Sequence, residues 1–260
     1  MTDPLTALVT GANKGLGKEV ARQLGRLGAT VLIGSRDHAR GELAAAELVA
    51  QGLAAHAIQL DVTEAASIQA AAEEVQTRYG RLDVLVNNAG ILVAPPALQT
   101  TVEDLRATFE TNVFGVLAVT RAMLPLMGKA PAPRIVNVAS TTASLTYNAG
   151  PDAKFAGAPN NLAYASSKAA VTMLTVQYAN AFRRSPEHRH FKINAATPGH
   201  IATDLNGHSG PRTPAQGARI VVELATLPDD GPSGGFFNDD GQLPWSHQPR
   251  RSTGQRSSTC

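Results

Sequence analysis

Short apolar runs alternate along the chain with longer stretches in which apolar residues recur at helical spacing. The first run, TALVTG (6–11), ends in a glycine and is followed by KEVARQLGRLG (18–28). In that stretch Val20, Leu24 and Leu27 share one helical face, which predicts an amphipathic helix. The apolar runs are continuous rather than alternating, and this is typical of strands buried on both faces of a parallel sheet.

The same alternation predicts the rest of the fold. Further strands are predicted at 30–36, 54–63, 82–90, 133–140, 191–199 and 234–241, and further helices at 42–52, 64–80, 101–127 and 161–184. Pro125 has no backbone N–H to donate, so the helix over 101–127 is expected to bend near it. About seven strands joined by right-handed crossovers predict an α/β fold, a single doubly wound Rossmann-type domain with a parallel sheet and helices on both faces.

The last residues differ in composition from the rest. No domain break precedes Trp245, so residues 1–245 are predicted to form one domain. Residues 246–260 contain arginines but no aliphatic or aromatic side chain, which predicts a basic disordered tail.

Composition narrows the class of protein. The 260 residues are 43% hydrophobic, enough for a core, and the net charge of +2 with no basic and aromatic stripe predicts no nucleic-acid partner. No long apolar run and no secretory signal are visible, so no membrane association is expected. The single cysteine, Cys260, excludes an intramolecular disulfide, which suits a cytoplasmic protein. The histidines of HRH (188–190) lack nearby ligands, so no metal site is predicted.

A glycine-rich loop, TGANKGLG (10–17), lies between the first strand and the first helix. Its glycines allow a tight turn and let backbone N–H groups approach a phosphate at the helix N-terminus. The spacing of Gly11, Gly15 and Gly17 differs from the G-x-G-x-x-G fingerprint, and a purely structural turn would use the same residues. The position of the loop within a βαβ unit favours a nucleotide site.

The end of the second strand indicates which nucleotide binds. Its last residues, Gly34-Ser35-Arg36, contain no carboxylate to bond the ribose hydroxyls of NAD, and Asp37 is the first acidic residue. Arg36 and Lys14 suit the 2′-phosphate of NADP, although each alone could be an ordinary surface charge. Asp61, after the third strand, is an acceptor for an adenine amino group or a cap for the next helix.

YASSK (164–168) carries the candidate chemistry. Tyr164 and Lys168 lie one helical turn apart, and the small residues between them leave room for a flat cofactor and a substrate. An ammonium beside a phenol is expected to lower the phenol pKa from its usual value of roughly 10. Such a pair can exchange a proton with a carbonyl or alcohol oxygen, although Y-x-x-x-K alone also arises as a chance surface pair.

Several motifs occur in an order that resembles the short-chain dehydrogenase/reductase family, over residues 6 to about 245. They are TGANKGLG, DVT (61–63), NNAG (87–90), Asn112, Ser140 after the fifth strand, YASSK, PG (198–199) and Thr203. The resemblance implies a proton-donating Tyr164, a Lys168 that lowers its pKa and bonds the nicotinamide ribose, a Ser140 that polarises the carbonyl, and an Asn112 that holds a relay water. Asn112 could instead stabilise a bend in its helix, and Asn87 could pin its strand by bonding backbone.

The same resemblance implies a set of residues that contact NADP(H). They are Gly11, Asn13, Lys14, Gly15, Leu16, Gly17, Arg36, Asp61, Val62, Asn88, Ala89, Gly90, Tyr164, Lys168, Pro198, Gly199, Ile201 and Thr203.

Within the family, the chain is most similar to NADPH-dependent carbonyl reductases in TGANKGLG, SRD, LDVLVNNAGI and LPDDGPSGGFFNDDGQLPW. This implies reduction of a small-molecule ketone, aldehyde or quinone. An NAD-linked alcohol dehydrogenase and a non-enzymatic NADPH-sensing module are the alternatives. The interval between Ser140 and Tyr164 is about twice the family's common spacing. The extra residues, 145–161, are predicted to be a loop that can cover the substrate pocket or lie beside the helices that many family members use for dimer contacts, and an indifferent surface insertion is the third alternative. Whether the protein is a monomer or a homo-oligomer is left undecided.

Overall fold

The computed structural model describes residues 4–149, 155 and 161–245, and the predicted tail at 246–260 lies outside them. The strands form one sheet of order β3-β2-β1-β4-β5-β6-β7-β8. Their bounds, from β1 to β8, are Thr6–Val9, Thr30–Ser35, Ala55–Gln59, Val84–Asn87, Arg134–Val138, Lys192–Ala196, Phe236–Asn238 and Gly241–Gln242. The first seven pair in parallel and β8 pairs antiparallel with β7. The predicted α/β Rossmann-type fold is confirmed, with one short antiparallel strand beyond the seven expected.

Eight α-helices lie in the described part of the chain. Their bounds, from α1 to α8, are Gly15–Arg26, His38–Val49, Ala65–Tyr79, Val102–Phe109, Gly115–Met127, Leu145–Ala149, Leu162–Arg184 and Pro214–Ala225. None of them is long and apolar enough to cross a bilayer.

The helices cover both faces of the sheet, and successive strand residues point to opposite layers. Ala7 and Val9 of β1 belong to a core completed by α1, α2 and α8. Leu8, between them, belongs to a second core completed by α3, α5 and α7. Burial on both faces is why the strands show continuous apolar runs instead of alternation.

The stretch predicted as one bent helix over 101–127 is divided by a π-helical turn. Residues Glu110–Phe114 form that turn between α4 and α5, whereas Pro125 lies in the last turn of α5, which continues to Met127. A π turn inserts one extra residue into the helical ladder and is frequent at functional sites. The departure from α geometry therefore lies at Asn112, within the π turn.

Two helices were not predicted from the sequence. Helix α8 begins at a capping box in which the Thr213 side chain accepts from Gln216 N–H, with Pro214 in the first turn. That signal stands in the sequence, but no element was assigned there. Helix α6 lies inside the 145–161 stretch predicted to be a loop, where Leu145–Ala149 forms one short turn of helix.

The strand order reverses next to β1, which pairs with β2 on one side and β4 on the other. Ligands of doubly wound sheets bind in the crevice at such a reversal, beyond the carboxyl ends of the strands. The glycine loop follows β1 and NNAG follows β4, so both motifs open into this crevice.

Candidate active site

A cavity of about 650 Å³ lies over the carboxyl ends of the central strands. All of the predicted site residues except Asn112 line it. Those lining residues are Gly11, Asn13, Lys14, Gly15, Leu16, Gly17, Arg36, Asp61, Val62, Asn88, Ala89, Gly90, Ser140, Tyr164, Lys168, Pro198, Gly199, Ile201 and Thr203. Residues that follow the strands β1 to β6 thus line one cavity together with Tyr164 and Lys168 of α7.

The glycine loop is pressed against the NNAG turn. Gly11 has φ +61°, and a Cβ at Gly17 would lie 2.5 Å from Asn88 Nδ2 and 2.7 Å from Gly11 O. No side chain caps the N-terminus of α1, and its first turn contains no acidic residue. These free N–H groups at a bare helix N-terminus fit the phosphates of a dinucleotide.

Thr10 locks the two loops together. Its Oγ1 accepts hydrogen bonds from Asn88 N–H and Ala89 N–H, both at 2.9 Å. In return, Asn88 Nδ2 donates to Thr10 O at 2.8 Å and to Gly11 O at 3.1 Å. Sequence analysis did not single out Thr10, although it is the first residue of TGANKGLG.

Below the crevice, Asn87 bonds side chains rather than backbone. Its Nδ2 donates to Thr120 Oγ1 at 3.0 Å and to Asn137 Oδ1 at 2.8 Å. Asn137 Nδ2 then donates to Thr175 Oγ1 at 2.9 Å. Asn87 therefore joins β4 to β5 and to the helices beneath, in place of the backbone contact considered from the sequence.

The outer end of the cavity is charged and exposed. Arg36 faces it, whereas the Asp37 carboxylate caps α2 by accepting from Arg40 N–H at 3.0 Å. Lys14 forms an ion pair with Asp204 at 2.9 Å, and their side chains are 56% and 47% exposed. Hydrogen bonds from Lys14 and His208 lower the pKa of Asp204. Lys14 is therefore engaged with a carboxylate across the cavity mouth.

Asp61 has one carboxylate oxygen committed within its turn. Thr63 donates to Asp61 Oδ1 from its backbone at 2.9 Å and from its hydroxyl at 2.7 Å. Glu64, not Asp61, is the N-cap residue of α3. Asp61 lines the cavity, so an adenine-contacting role remains compatible with this turn.

The inner end holds Tyr164, Lys168 and Ser140. Burial raises the pKa of Tyr164 to about 12, against an opposing hydrogen bond with Ser140. Burial lowers the pKa of Lys168 to about 8, and its Nζ donates to Val138 O at 2.8 Å while lying 5.7 Å from the Tyr164 ring centroid. The sequence predicted a phenol pKa depressed by Lys168. In this structure desolvation is the largest influence on Tyr164, and the pKa of the phenol therefore lies above its usual value rather than below it.

Asn112 is fully buried behind the cavity wall. Its Oδ1 accepts from Ile91 N–H at 2.8 Å, and its Nδ2 donates to Ile91 O and to Ser167 Oγ, both at 3.0 Å. A Cβ at Gly90 would lie 3.2 Å from Asn112 Oδ1 and 3.6 Å from Lys168 Nζ. Both amide hydrogens are thus used within the protein. The side chain fixes the loop after β4 beside Lys168, and Ser167, inside YASSK, is a partner that sequence analysis missed.

Several apolar side chains also line the cavity. Ile91 and Leu92 contribute from the loop after β4, and Leu205 from the loop after β6. The 145–161 stretch contributes Phe155 and Asn161. The stretch between Ser140 and Tyr164 therefore reaches the cavity. No group of three or more potential metal ligands occurs among residues 4–149, 155 and 161–245.

Comparison with known proteins gives consistent matches. The family model described as short chain dehydrogenase matches residues 5–213. The chain is 32% identical to (-)-isopiperitenone reductase of Mentha piperita, over 91% of this chain and 97% of that protein. It is 34% identical to the NADPH carbonyl reductase 1 of Sus scrofa, over 94% of this chain and 95% of that protein. The solved structure of salutaridine reductase from Papaver somniferum matches with a TM-score of 0.77 at 30% identity, covering 90% of this chain and 99% of that one.

Proposed function

Because the chain belongs to the short-chain dehydrogenase family, we propose that it is an NADPH-dependent reductase that converts a carbonyl to an alcohol, with Tyr164 as proton donor. Membership confirms the resemblance predicted from the ordered motifs, including the likeness to carbonyl reductases. Bound NADPH would supply the hydride. The observation that carries the proposal is the convergence of Ser140, Tyr164 and Lys168 with the glycine loop in one cavity.

The protonation state of Tyr164 supports the reductive direction. A reductase needs an acid that still holds its proton at neutral pH, and burial raises the pKa of this phenol to about 12. Ser140 bonds the same phenol, so both hydroxyls can meet one substrate oxygen. Lys168 would hold the nicotinamide ribose, and Asn112 would hold the loop beside it.

The choice of NADPH rests on the charges at the outer end. Asp37 is the first carboxylate after β2, and it is turned toward α2, where it caps the helix and pairs with Arg40. Arg36 remains facing the cavity as a partner for a 2′-phosphate, with Lys14 as a second cation once it leaves Asp204. The relative from Sus scrofa is named as NADPH-using, which agrees with this assignment.

The substrate is proposed to be an apolar carbonyl compound. Ile91, Leu92, Phe155 and Leu205 line the same cavity as Tyr164, and such apolar surfaces favour carbon-rich substrates. The isopiperitenone and salutaridine reductases among its relatives are named for compounds that they reduce, and we extend this class to the present chain.

The first test is NADPH consumption against a panel of an aromatic aldehyde, an ortho-quinone, an isatin-like diketone and a ring ketone. Turnover with NADPH preferred over NADH is the expected result. Turnover with NADH preferred would indicate the NAD-linked dehydrogenase instead. Tight NADPH binding without turnover on any member would favour a nucleotide-sensing module.

Arg36→Ala tests the cofactor assignment separately. Loss of a charge-assisted contact to phosphate is expected to weaken NADPH binding by about 10-fold or more and NADH binding little. Arg40→Ala is the matched control, because Arg40 is exposed and pairs with Asp37 outside the cavity. Equal weakening of both cofactors by Arg36→Ala would contradict the assignment.

A further inference from the structure

Thr142, two residues after Ser140, is not among the residues that the family motifs identify. It lies in the 3₁₀ turn Thr141–Ala143, of which Ser140 is the N-cap residue. Its hydroxyl donates to Ser140 Oγ at 2.9 Å, and its backbone N–H donates to the same atom at 3.3 Å. Both groups approach Ser140 from the side of the turn, and the Thr142 side chain also lines the cavity.

A serine hydroxyl offers one hydrogen and two acceptor positions. Thr142 fills both acceptor positions of Ser140. The only function left to Ser140 toward the cavity is to donate its own hydrogen. On the cavity side Ser140 forms a hydrogen bond with Tyr164. This bond lowers the pKa of Tyr164, against the larger effect of burial.

The direction of this hydrogen bond matters for an acid. If Ser140 donates to the phenol oxygen or to a substrate oxygen, the phenol hydrogen stays free for transfer. If Ser140 accepted from Tyr164, the phenol hydrogen would be directed away from the substrate. A donor chain also polarises each successive hydroxyl, which strengthens the last bond in it.

We propose that Thr142 is a positioning residue that fixes the polarity of the Thr142–Ser140–Tyr164 hydrogen-bond chain, so that Ser140 acts only as a donor during carbonyl reduction. The inference rests on the proposed function. Thr142 acts through Ser140 and is itself held in place by α6, because Asn148 Nδ2 donates to Thr142 O at 2.8 Å. The short helix α6 thereby supports a catalytic hydroxyl.

Thr142→Val is the direct test, since valine keeps the branched shape and removes only the hydroxyl. Loss of one hydrogen bond to a reacting hydroxyl is expected to lower kcat by about 3- to 10-fold. KM for the carbonyl and the dissociation constant of NADPH are expected to change by less than about twofold, because Ser140 and the glycine loop remain. Thr142→Ser restores the hydroxyl and is expected to bring kcat back to within about twofold of wild type.

Thr146→Val is the matched control. Thr146 lies on α6, and its Oγ1 is buried without a hydrogen-bond partner in the described part of the chain, so the same substitution removes no bond there. Its kcat is expected to equal that of wild type. A wild-type kcat in Thr142→Val, a failure of Thr142→Ser to restore kcat, or an equal loss in Thr146→Val would each overturn the inference while leaving the proposed function intact. Absence of turnover by the wild-type protein would overturn both.

Discussion

The two ends of the cavity differ in how far their polar side chains are exposed to solvent. At the inner end Asn112 and Ser167 are fully buried and Lys168 is 4% exposed, and each of the three side chains has a hydrogen-bond partner within the protein. At the outer end Lys14 and Asp204 are about half exposed and meet as an ion pair in solvent. Burial shifts pKa values and fixes single conformations, whereas exposed charges are screened and exchange partners freely.

This difference indicates where specificity and chemistry reside. A desolvated network tolerates little change, because a lost partner leaves a buried polar group unpaired. An exposed ion pair contributes on the order of 0–1 kcal/mol and can be replaced by a ligand phosphate at small cost. We therefore expect substitutions at the inner end to change the rate of the proposed reaction, and substitutions at the outer end to change the affinity for the proposed cofactor.

The largest expected effect is at Tyr164. Tyr164→Phe removes the proposed acid and is expected to lower kcat by about 10²- to 10⁴-fold, the usual contribution of general acid catalysis. NADPH affinity, measured by fluorescence titration, is expected to stay within about threefold of wild type. Tyr178→Phe is the control, because Tyr178 packs on Phe182 outside the cavity. Full turnover in Tyr164→Phe would contradict the proton-donor role.

Gly17→Ala adds a methyl group where the two loops meet. A Cβ there would lie 2.5 Å from Asn88 Nδ2 and 2.7 Å from Gly11 O, so the loops must separate. We expect a loss of about 1–3 kcal/mol in the free energy of unfolding and weaker NADPH binding. In Gly128→Ala, the control, the nearest atom to the added Cβ is Leu124 O at 3.5 Å. Urea unfolding measures the stability of both variants. Equal stability of Gly17→Ala and Gly128→Ala would contradict the predicted clash between the two loops.

The buried Lys168 is expected to make the stability of the protein depend on pH. Its pKa is lowered from 10.5 to about 8, so the unfolded chain binds the proton more tightly between these values. Stability is therefore expected to rise with pH above about 8 and to be lost as pH falls through about 8. Tyr164 acts in the opposite sense above pH 10, because its pKa is raised from 10.0 to about 12. The effect of Lys168 on stability is therefore best measured between about pH 8 and pH 10, below the range in which Tyr164 titrates.

Lys168→Met is expected to remove this rise, which we place on the order of 1–3 kcal/mol across the window. Urea unfolding at several pH values measures it as the difference between wild type and variant. The exposed Lys129 provides the control substitution, Lys129→Met, which should keep the wild-type slope. Parallel curves for wild type and Lys168→Met would show that the buried lysine does not cause the pH dependence.

The smallest effect is expected at Asp204. Asp204→Asn frees Lys14 and removes a negative charge from the cavity mouth, so NADPH is expected to bind about 2- to 5-fold more tightly at about 0.05 M salt. The gain should largely vanish at about 0.5 M salt, where the Debye length is short. Calorimetric titration measures both, and Glu103→Gln gives the same charge change on α4, away from the cavity. Equal NADPH affinity of Asp204→Asn and wild type at both salt concentrations would show that the Lys14–Asp204 ion pair does not compete with the cofactor.

Local patterns in the sequence determined most of the architecture. Continuous apolar runs predicted buried parallel strands, glycines marked the loop after β1, and the four-residue interval placed Tyr164 and Lys168 on one helical face. These features depend on backbone geometry and side-chain period, which act between neighbours in the chain. For the same reason the boundaries of β2, β6 and α7 lie within a few residues of those predicted.

The tertiary structure alone decided the properties that depend on distant neighbours. Desolvation of Tyr164 and Lys168 comes from elements far away in sequence, so the sequence predicted the wrong direction for the pKa of Tyr164. The partners of Lys14 and Asn112 lie on segments far away in the sequence, and neither could be read from local pattern. Burial and hydrogen bonding are set by the packing of the whole chain, and these two quantities control the chemistry of the site.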